Sequence, residues 1–171
     1  MRIISKFIFI FIIFFLVSCT KKSDDITVLK ETNLETQMIE LYNQGMLEFN
    51  RGDVIFASKK FNEAELLYPQ SVWAPRAALM SAYGFFSKGY YNDAINDLER
   101  FVLKYKNHPQ LDYAYYLLAL CHYDQIIDEK KDLNEILKAK KYFEFVINNY
   151  PETEYAFDSS YKLELIIEIM A

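Results

Sequence analysis

The sequence predicts an all-α protein in which pairs of helices stack into a solenoid. The 171 residues include only four Gly and four Pro, too few for the frequent turns of an all-β fold. Apolar residues make up 52% of the chain and charged residues 25%, as in a folded protein. A short motif of small and aromatic residues also recurs three times, which is typical of stacked helical repeats.

The N-terminal residues 1–18 have the pattern of a secretory signal peptide. Two basic residues precede an unbroken apolar run of eleven residues, Phe7 to Val17, whereas a membrane-spanning helix needs about 20 residues. The run leads into Leu-Val-Ser-Cys, which resembles the bacterial lipobox and predicts lipidation at Cys19. Thr20, in place of Asp, resembles lipoproteins sorted to the outer membrane. The alternative is a short membrane anchor with an incidental Cys19.

Residues 19–32 are polar and are expected to form a flexible tether between the lipid and a folded domain at 33–171. Removal of residues 1–18 would leave the chain more acidic than its formal net charge of −5. This acidity argues against nucleic acid as a partner, because nucleic-acid-binding proteins present basic surfaces. A lipid on Cys19 would leave Cys121, the second of two cysteines, without a disulfide partner. Cys121 is therefore predicted to be a small buried apolar residue.

Three copies of one motif organise the folded domain. Each copy has an Ala, then Phe or Leu four residues later, then Tyr eleven residues after the Ala, and two copies place Pro directly after that Tyr. The copies begin at Ala57, Ala94 and Ala139, and each follows another amphipathic stretch. This arrangement matches the tetratricopeptide repeat. The small Ala allows two helices to cross closely, and Pro ends the second helix.

These motifs predict a solenoid of about three and a half helix pairs. Gly45 lies where the first helix of a tetratricopeptide repeat has Gly, and Asp53 is expected to cap the second helix. The final apolar helix has no following helix, which indicates either a truncated chain or a face that binds another protein. The predicted repeats cover about 38–70, 72–107, 111–151 and, as a partial fourth, 153–171.

The first helix of each repeat lines the concave groove in such folds, and several aromatic residues are expected there. Tyr gives contact area together with a hydroxyl group, so the groove suits an extended peptide. The alternative is that some of these residues belong to the core between helices, as is expected for Trp73. The candidate groove residues are Tyr42, Met46, Phe49, Arg76, Tyr83, Phe86, Tyr116 and Tyr123.

Catalytic or metal chemistry is not indicated by the sequence. The histidines, His108 and His122, are well separated and form no zinc motif with the single remaining Cys. We expect His108 to cap or pack at a helix start and His122 to lie at the surface or in the groove. Motifs for nucleotide binding, serine hydrolysis and zinc peptidases are absent from the sequence. We therefore predict a binding protein rather than an enzyme, with no metal and no cofactor besides the covalent lipid on Cys19.

The order of lipobox, polar tether and tetratricopeptide repeats resembles the BamD family, the lipoproteins of the bacterial β-barrel assembly machinery. The likeness runs from about residue 38 to the end of the sequence. Its most specific part is His108-Pro109 followed by Asp112-Tyr113 at a repeat junction. A second junction, Tyr150 to Lys162, is also similar to the family.

The resemblance implies a lipid-anchored outer-membrane protein that faces the periplasm. The implied partners are BamA, other barrel-assembly subunits and unfolded outer membrane proteins. The family has five repeats, so the substrate side would be present here while the side that docks BamA would be incomplete. Two alternatives stay open: another tetratricopeptide lipoprotein that acts as a cell-envelope adaptor, and a hydrolase or enzyme accessory built on helical repeats.

Overall fold

The computed structural model describes residues 24–128 and 133–170, with side chains described for 32–126 and 133–170. The predicted signal peptide 1–18 and the candidate lipid site Cys19 lie outside these residues. The chain divides into two compact units, Met1–Leu34 and Glu35–Ala171, and the repeated motifs lie in the second. The described residues form seven α-helices: α1 (Asp24–Arg51), α2 (Val54–Leu67), α3 (Ala74–Ser87), α4 (Tyr91–Lys104), α5 (Leu111–Asp128), α6 (Leu133–Asn149) and α7 (Glu154–Met170).

This helix order confirms the all-α solenoid of three and a half pairs. Helices α1 and α2 form the first pair, α3 and α4 the second, α5 and α6 the third, and α7 begins the fourth. Each helix from α2 to α6 packs against the next one along the chain. Helix α1 already begins at Asp24, so part of the segment 19–32, predicted to be a flexible tether, is helical in the structure.

The repeated motif forms the core of the stack, as its spacing predicts. Apolar residues three or four positions apart share one helix face, so each motif presents a continuous stripe to the neighbouring helices. Burying these stripes between helices is the main driving force for stacking. The motif residues that are at most 1% exposed are Ala57, Phe61, Ala64, Ala94, Leu98, Phe101, Ala139, Phe143 and Val146.

The start of α2 and the crossing of α1 with α2 agree with the sequence-based predictions for Asp53 and Gly45. The Phe56 backbone N–H donates to the Asp53 carboxylate at 3.0 Å, which confirms the cap of α2. A Cβ atom at Gly45 would lie 2.7 Å from the Phe61 ring, so the predicted Gly lets α1 approach α2 closely.

Cys121 is buried, also as predicted. Within residues 24–128 and 133–170, none of the helices combines the length and apolar character needed to cross a bilayer.

Candidate functional site

A cavity of about 560 Å³ opens between the first helices of the first three repeats. Tyr42 reaches it from α1, while Arg76 and Tyr83 come from α3, so three of the predicted groove residues meet at one site. The remaining wall was not predicted from the sequence. It consists of Leu79 and Met80 from α3, His108, Pro109 and Gln110 from the α4–α5 loop, and Tyr113 from α5.

Arg76 is held over aromatic rings at one side of this cavity. Its guanidinium carbon lies 5.0 Å from the centre of the Trp73 ring, a cation–π contact. The Trp73 ring in turn meets the Tyr42 ring edge-on, with 5.5 Å between centroids, so Trp73 packs at a helix start as predicted. Among the described residues that line the cavity, Arg76 is the one with a fixed charge. The cavity therefore favours an anionic group.

His108 supplies a neutral donor to the same cavity. Burial, together with the nearby Arg76 charge, lowers the pKa of His108, so the imidazole is neutral at pH 7. Its Nδ1 accepts from the Gln110 backbone N–H at 3.2 Å, which leaves the proton of the neutral ring on Nε2. The ring also packs edge-on against Phe101, 5.4 Å between centroids. His108 thus has the capping and packing role that was predicted, in the loop that lines the cavity.

The hydroxyls of Tyr42 and Tyr113 at this site stay protonated at neutral pH. Burial raises the pKa of Tyr113, and neighbouring Tyr83 and Tyr155 raise it further. Burial also raises the pKa of Tyr42, although the Arg76 charge opposes this effect. These phenols can therefore donate hydrogen bonds to carbonyl or carboxylate oxygens, while their rings offer apolar contact.

The other five predicted groove residues do not line this cavity. Met46 and Phe49 pack in the core cluster shared by α1, α2 and α3, and Phe86 packs against Tyr91 of α4. Tyr116 donates its hydroxyl to Asp158 of α7. Tyr123 is only 9% exposed and meets Phe143 edge-on. These five residues thus have the surroundings expected of core positions, which was the alternative to a groove position. A binding role for them stays a prediction.

A second cavity of about 520 Å³ lies between α4, α5 and α6 and is lined mainly by residues with polar or charged groups. His122 borders it but is only 3% exposed, so the prediction that this residue lies at the surface or in the groove is wrong. Helix α6 covers the ring: Tyr142 stacks on it with 5.6 Å between centroids, and Glu135 pairs with Nδ1. The walls carry both signs of charge, from Glu99, Glu135, Lys138 and Lys141.

A buried ionic network joins the second helices of the first two repeats. Glu65 of α2 is fully buried and pairs with Arg100 and Lys104 of α4. The Tyr105 hydroxyl also donates to its carboxylate, at 2.7 Å. Burial alone would raise the pKa of Glu65, but the hydrogen bonds from these three partners outweigh it and lower the pKa. The sequence offered no signal for this network, since Glu65 lies at least 35 residues from each of these partners in the chain.

The comparisons with known proteins agree on one family. The model of the YfiO family, outer membrane lipoproteins, matches residues 34–171. The chain is 34% identical to the outer membrane protein assembly factor BamD of Caulobacter vibrioides, over 77% of this chain and 43% of that protein. It is 31% identical to BamD of Rickettsia prowazekii, over 90% of this chain and 59% of that protein. The chain thus spans about half the length of these curated relatives.

Proposed function

This chain belongs to the YfiO family of outer membrane lipoproteins, and on that premise we propose that it takes part in the assembly of outer membrane proteins. It acts as a periplasmic scaffold held at the outer membrane by lipid on Cys19. It works by binding other proteins, without a catalytic step and without a cofactor beyond the lipid. The family match and the assembly-factor names of the relatives support this proposal.

Unfolded outer membrane proteins are the proposed ligands of the cavity at Tyr42, Arg76 and Tyr83. The observation that carries this proposal is the combination of aromatic rings, phenol hydroxyls and one guanidinium around about 560 Å³. Such a site fits an extended segment with aromatic side chains and a carboxylate. The rings cover the apolar groups, and Arg76 pairs with the carboxylate.

The experiment is a titration of the full chain with fluorescent ten-residue peptides that carry Phe or Tyr and one carboxylate. Arg76→Gln removes a charge-assisted hydrogen bond worth about 1.5–3 kcal/mol, so we expect binding to weaken by roughly 10- to 150-fold. Tyr83→Ala should also weaken binding, since it removes one aromatic wall.

Arg51→Gln is the matched control, because Arg51 is exposed, pairs with Glu48 one turn away and lies outside the cavity. It should bind like the unmodified chain. Equal affinity of the Arg76→Gln and unmodified chains would overturn the assignment of the cavity.

BamA and the other barrel-assembly subunits are the proposed stable partners. We expect their recovery when the lipidated chain is captured from solubilised envelopes and the bound proteins are identified by mass spectrometry. Recovery of other envelope proteins without BamA would instead favour a general adaptor role for these repeats.

A further inference from the structure

The second cavity, between α4, α5 and α6, holds two charged side chains that the protein does not pair. Glu99 reaches the cavity from α4 and Lys141 from α6. Among the described residues, neither of them has an ion-pair partner, whereas Glu135 and Lys138 in the same walls pair with each other at 2.9 Å. Both Glu99 and Lys141 are exposed, so a ligand can reach them. This cavity is separate from the first one and has no part in the proposed function.

The corresponding gap between the first and second repeats is closed by an arginine. In the register of the repeated motif, Asn62 of α2 corresponds to Glu99 of α4, and Arg100 of α4 corresponds to Phe145 of α6. The Arg100 guanidinium crosses the first gap and donates to Asn62 at 2.9 Å. Phe145 has no hydrogen-bond donor on its side chain, so Glu99 lacks the cation that its counterpart receives.

His122 adds a buried lone pair to the same cavity. Burial raises the pKa of Glu135, but hydrogen bonds from Lys138 and His122 outweigh it, so this carboxylate is ionised and accepts the proton on His122 Nδ1. Burial lowers the pKa of His122, although Glu135 opposes this, so the ring is neutral and its Nε2 carries a lone pair. Nε2 is buried and has no hydrogen-bond partner among the described residues. Such a group is costly unless a donor meets it.

A ligand that satisfies these groups needs an ammonium with N–H donors at one end and an anion at the other. The N–H groups can donate to the Glu99 carboxylate and to the His122 lone pair. The anion can pair with the Lys141 ammonium, which lies 5.9 Å from the centre of the Tyr142 ring. A lone cation or a lone anion would meet a like charge in one wall, which is unfavourable. The volume of about 520 Å³ suits a small molecule.

We propose that this cavity binds a small zwitterion in which a primary ammonium lies a few bonds from a phosphate or carboxylate group. The ammonium pairs with Glu99 and donates to Nε2 of His122, and the anionic group pairs with Lys141. Free phosphoethanolamine and the headgroup of phosphatidylethanolamine share this chemistry.

The test compares phosphoethanolamine with phosphocholine, which has the same two charged groups but carries methyl groups in place of the N–H donors. Both are titrated into the full chain in a non-ionic detergent and followed by isothermal titration calorimetry. Hydrogen bonds from the ammonium favour phosphoethanolamine, so we expect it to bind at least about tenfold more tightly. Ethanolamine and inorganic phosphate, which each carry one half of the zwitterion, should bind more weakly than phosphoethanolamine.

Chain variants make the test specific to the cavity. Glu99→Gln should remove most of the preference for phosphoethanolamine over phosphocholine, and Lys141→Gln should weaken the binding of both. Glu144→Gln is the matched control, because Glu144 lies on α6 outside the cavity and its side chain is 46% exposed. It should bind like the unmodified chain. These side chains are not buried, so circular dichroism should show an unchanged helix content for all three variants.

Nitrogen resonances of histidine report directly on the buried lone pair. The sequence contains two histidines, so a ¹⁵N-labelled chain gives few signals, and the His108→Gln variant assigns them. Phosphoethanolamine should shift the Nε2 resonance of His122 toward that of a hydrogen-bonded acceptor and leave His108 unchanged. An unchanged His122 resonance at saturating phosphoethanolamine would show that Nε2 does not bind the ammonium and would overturn the proposal.

The affinities decide the rest of the proposal. Equal affinities for phosphoethanolamine and phosphocholine, or no binding of either, would overturn it. Binding of ethanolamine as tightly as phosphoethanolamine would indicate a site for a cation alone and overturn the zwitterion. A soluble short-chain phosphatidylethanolamine separates the two sources of this chemistry. Binding as tight as that of phosphoethanolamine assigns a lipid headgroup, and its exclusion assigns the free zwitterion.

Discussion

At the residue scale, Glu65 shows how one buried charge can join two repeats. A carboxylate removed from water is costly unless it is paired and hydrogen-bonded. Glu65 meets this requirement with three partners from the second repeat, at 2.8 Å from Lys104 and 2.7 Å from Tyr105, together with Arg100. Arg100 also donates to Asn62 at 2.9 Å, so the contact reaches α2 at two points.

We predict that Glu65→Gln lowers the free energy of unfolding by about 2 kcal/mol. The loss stays below that of a fully buried pair, because Arg100 and Lys104 remain 38% exposed and can regain water. Urea denaturation measures the change. Glu63→Gln is the control: Glu63 pairs with Lys60 one turn away in the same helix and stays partly exposed, so its change should stay within about 0.5 kcal/mol. Equal effects of the two substitutions would contradict a special role for Glu65.

We predict that the folded chain loses stability at mildly acidic pH because His122 is buried. Burial lowers the pKa of His122 in the folded chain, and pairing with Glu135 only partly opposes this. The unfolded chain, with a His pKa of about 6.5, therefore binds the proton more readily. The stabilising contribution of neutral His122 is complete above about pH 6.5 and is lost as the pH falls from there toward the folded pKa.

The measurement is the urea midpoint between pH 7.5 and pH 5. His122→Gln should flatten the decrease seen for the unmodified chain. His108→Gln should leave most of the decrease in place, because His108 is less deeply buried. An identical pH profile for the His122→Gln and unmodified chains would show that other groups cause the decrease.

At the element scale, the contact of α1 with α2 depends on the absence of a side chain at Gly45. A Cβ atom there would come within 2.7 and 2.8 Å of two carbons of the Phe61 ring. Phe61 is fully buried, so it has little room to move. Close approach of the two helices at this point is what buries Phe61 between the first pair.

We predict that Gly45→Ala destabilises the chain, even though Ala favours helix by about 1 kcal/mol over Gly. Overpacking of a buried ring costs about 1–3 kcal/mol, so the net loss should be about 1 kcal/mol. The same substitution in a Phe61→Leu background should become neutral or stabilising, since Leu leaves space for the methyl group. A destabilisation of equal size in both backgrounds would exclude the clash with Phe61 as its cause.

The sequence predicted the positions of residues in helices better than those of residues in loops. Ala57 and Phe61 were assigned correctly to the core because burial of a helix face leaves a periodic pattern in the sequence. Tyr42, Arg76 and Tyr83 were placed in the groove by the same periodicity. The wall formed by His108 and its loop was not predicted, since loop conformation depends on contacts such as that of His108 with Phe101 rather than on a repeating pattern.

At the scale of the whole molecule, the described residues 35–128 and 133–170 form a chain of neighbours in which each helix from α2 to α6 packs mainly on the next. Additional packing joins α5 to α7 and α3 to α5. Stability in such stacks is close to a sum over repeats and the interfaces between them. Damage at one interface should therefore stay local, and the network at Glu65 lies at the interface of the first and second repeats.

We predict that Glu65→Gln increases hydrogen exchange in α2 and in residues 35–51, while the rates in α5 and α6 stay unchanged. A loss of about 2 kcal/mol at that interface corresponds to roughly 30-fold faster exchange of the amides that open with the first repeat. Native-state exchange followed by mass spectrometry of the full chain can separate these helices. Glu63→Gln should leave all rates near those of the unmodified chain. A uniform increase from α2 to α7 would instead mean that the stack opens as one cooperative unit, so that Glu65 stabilises the whole domain rather than one junction of it.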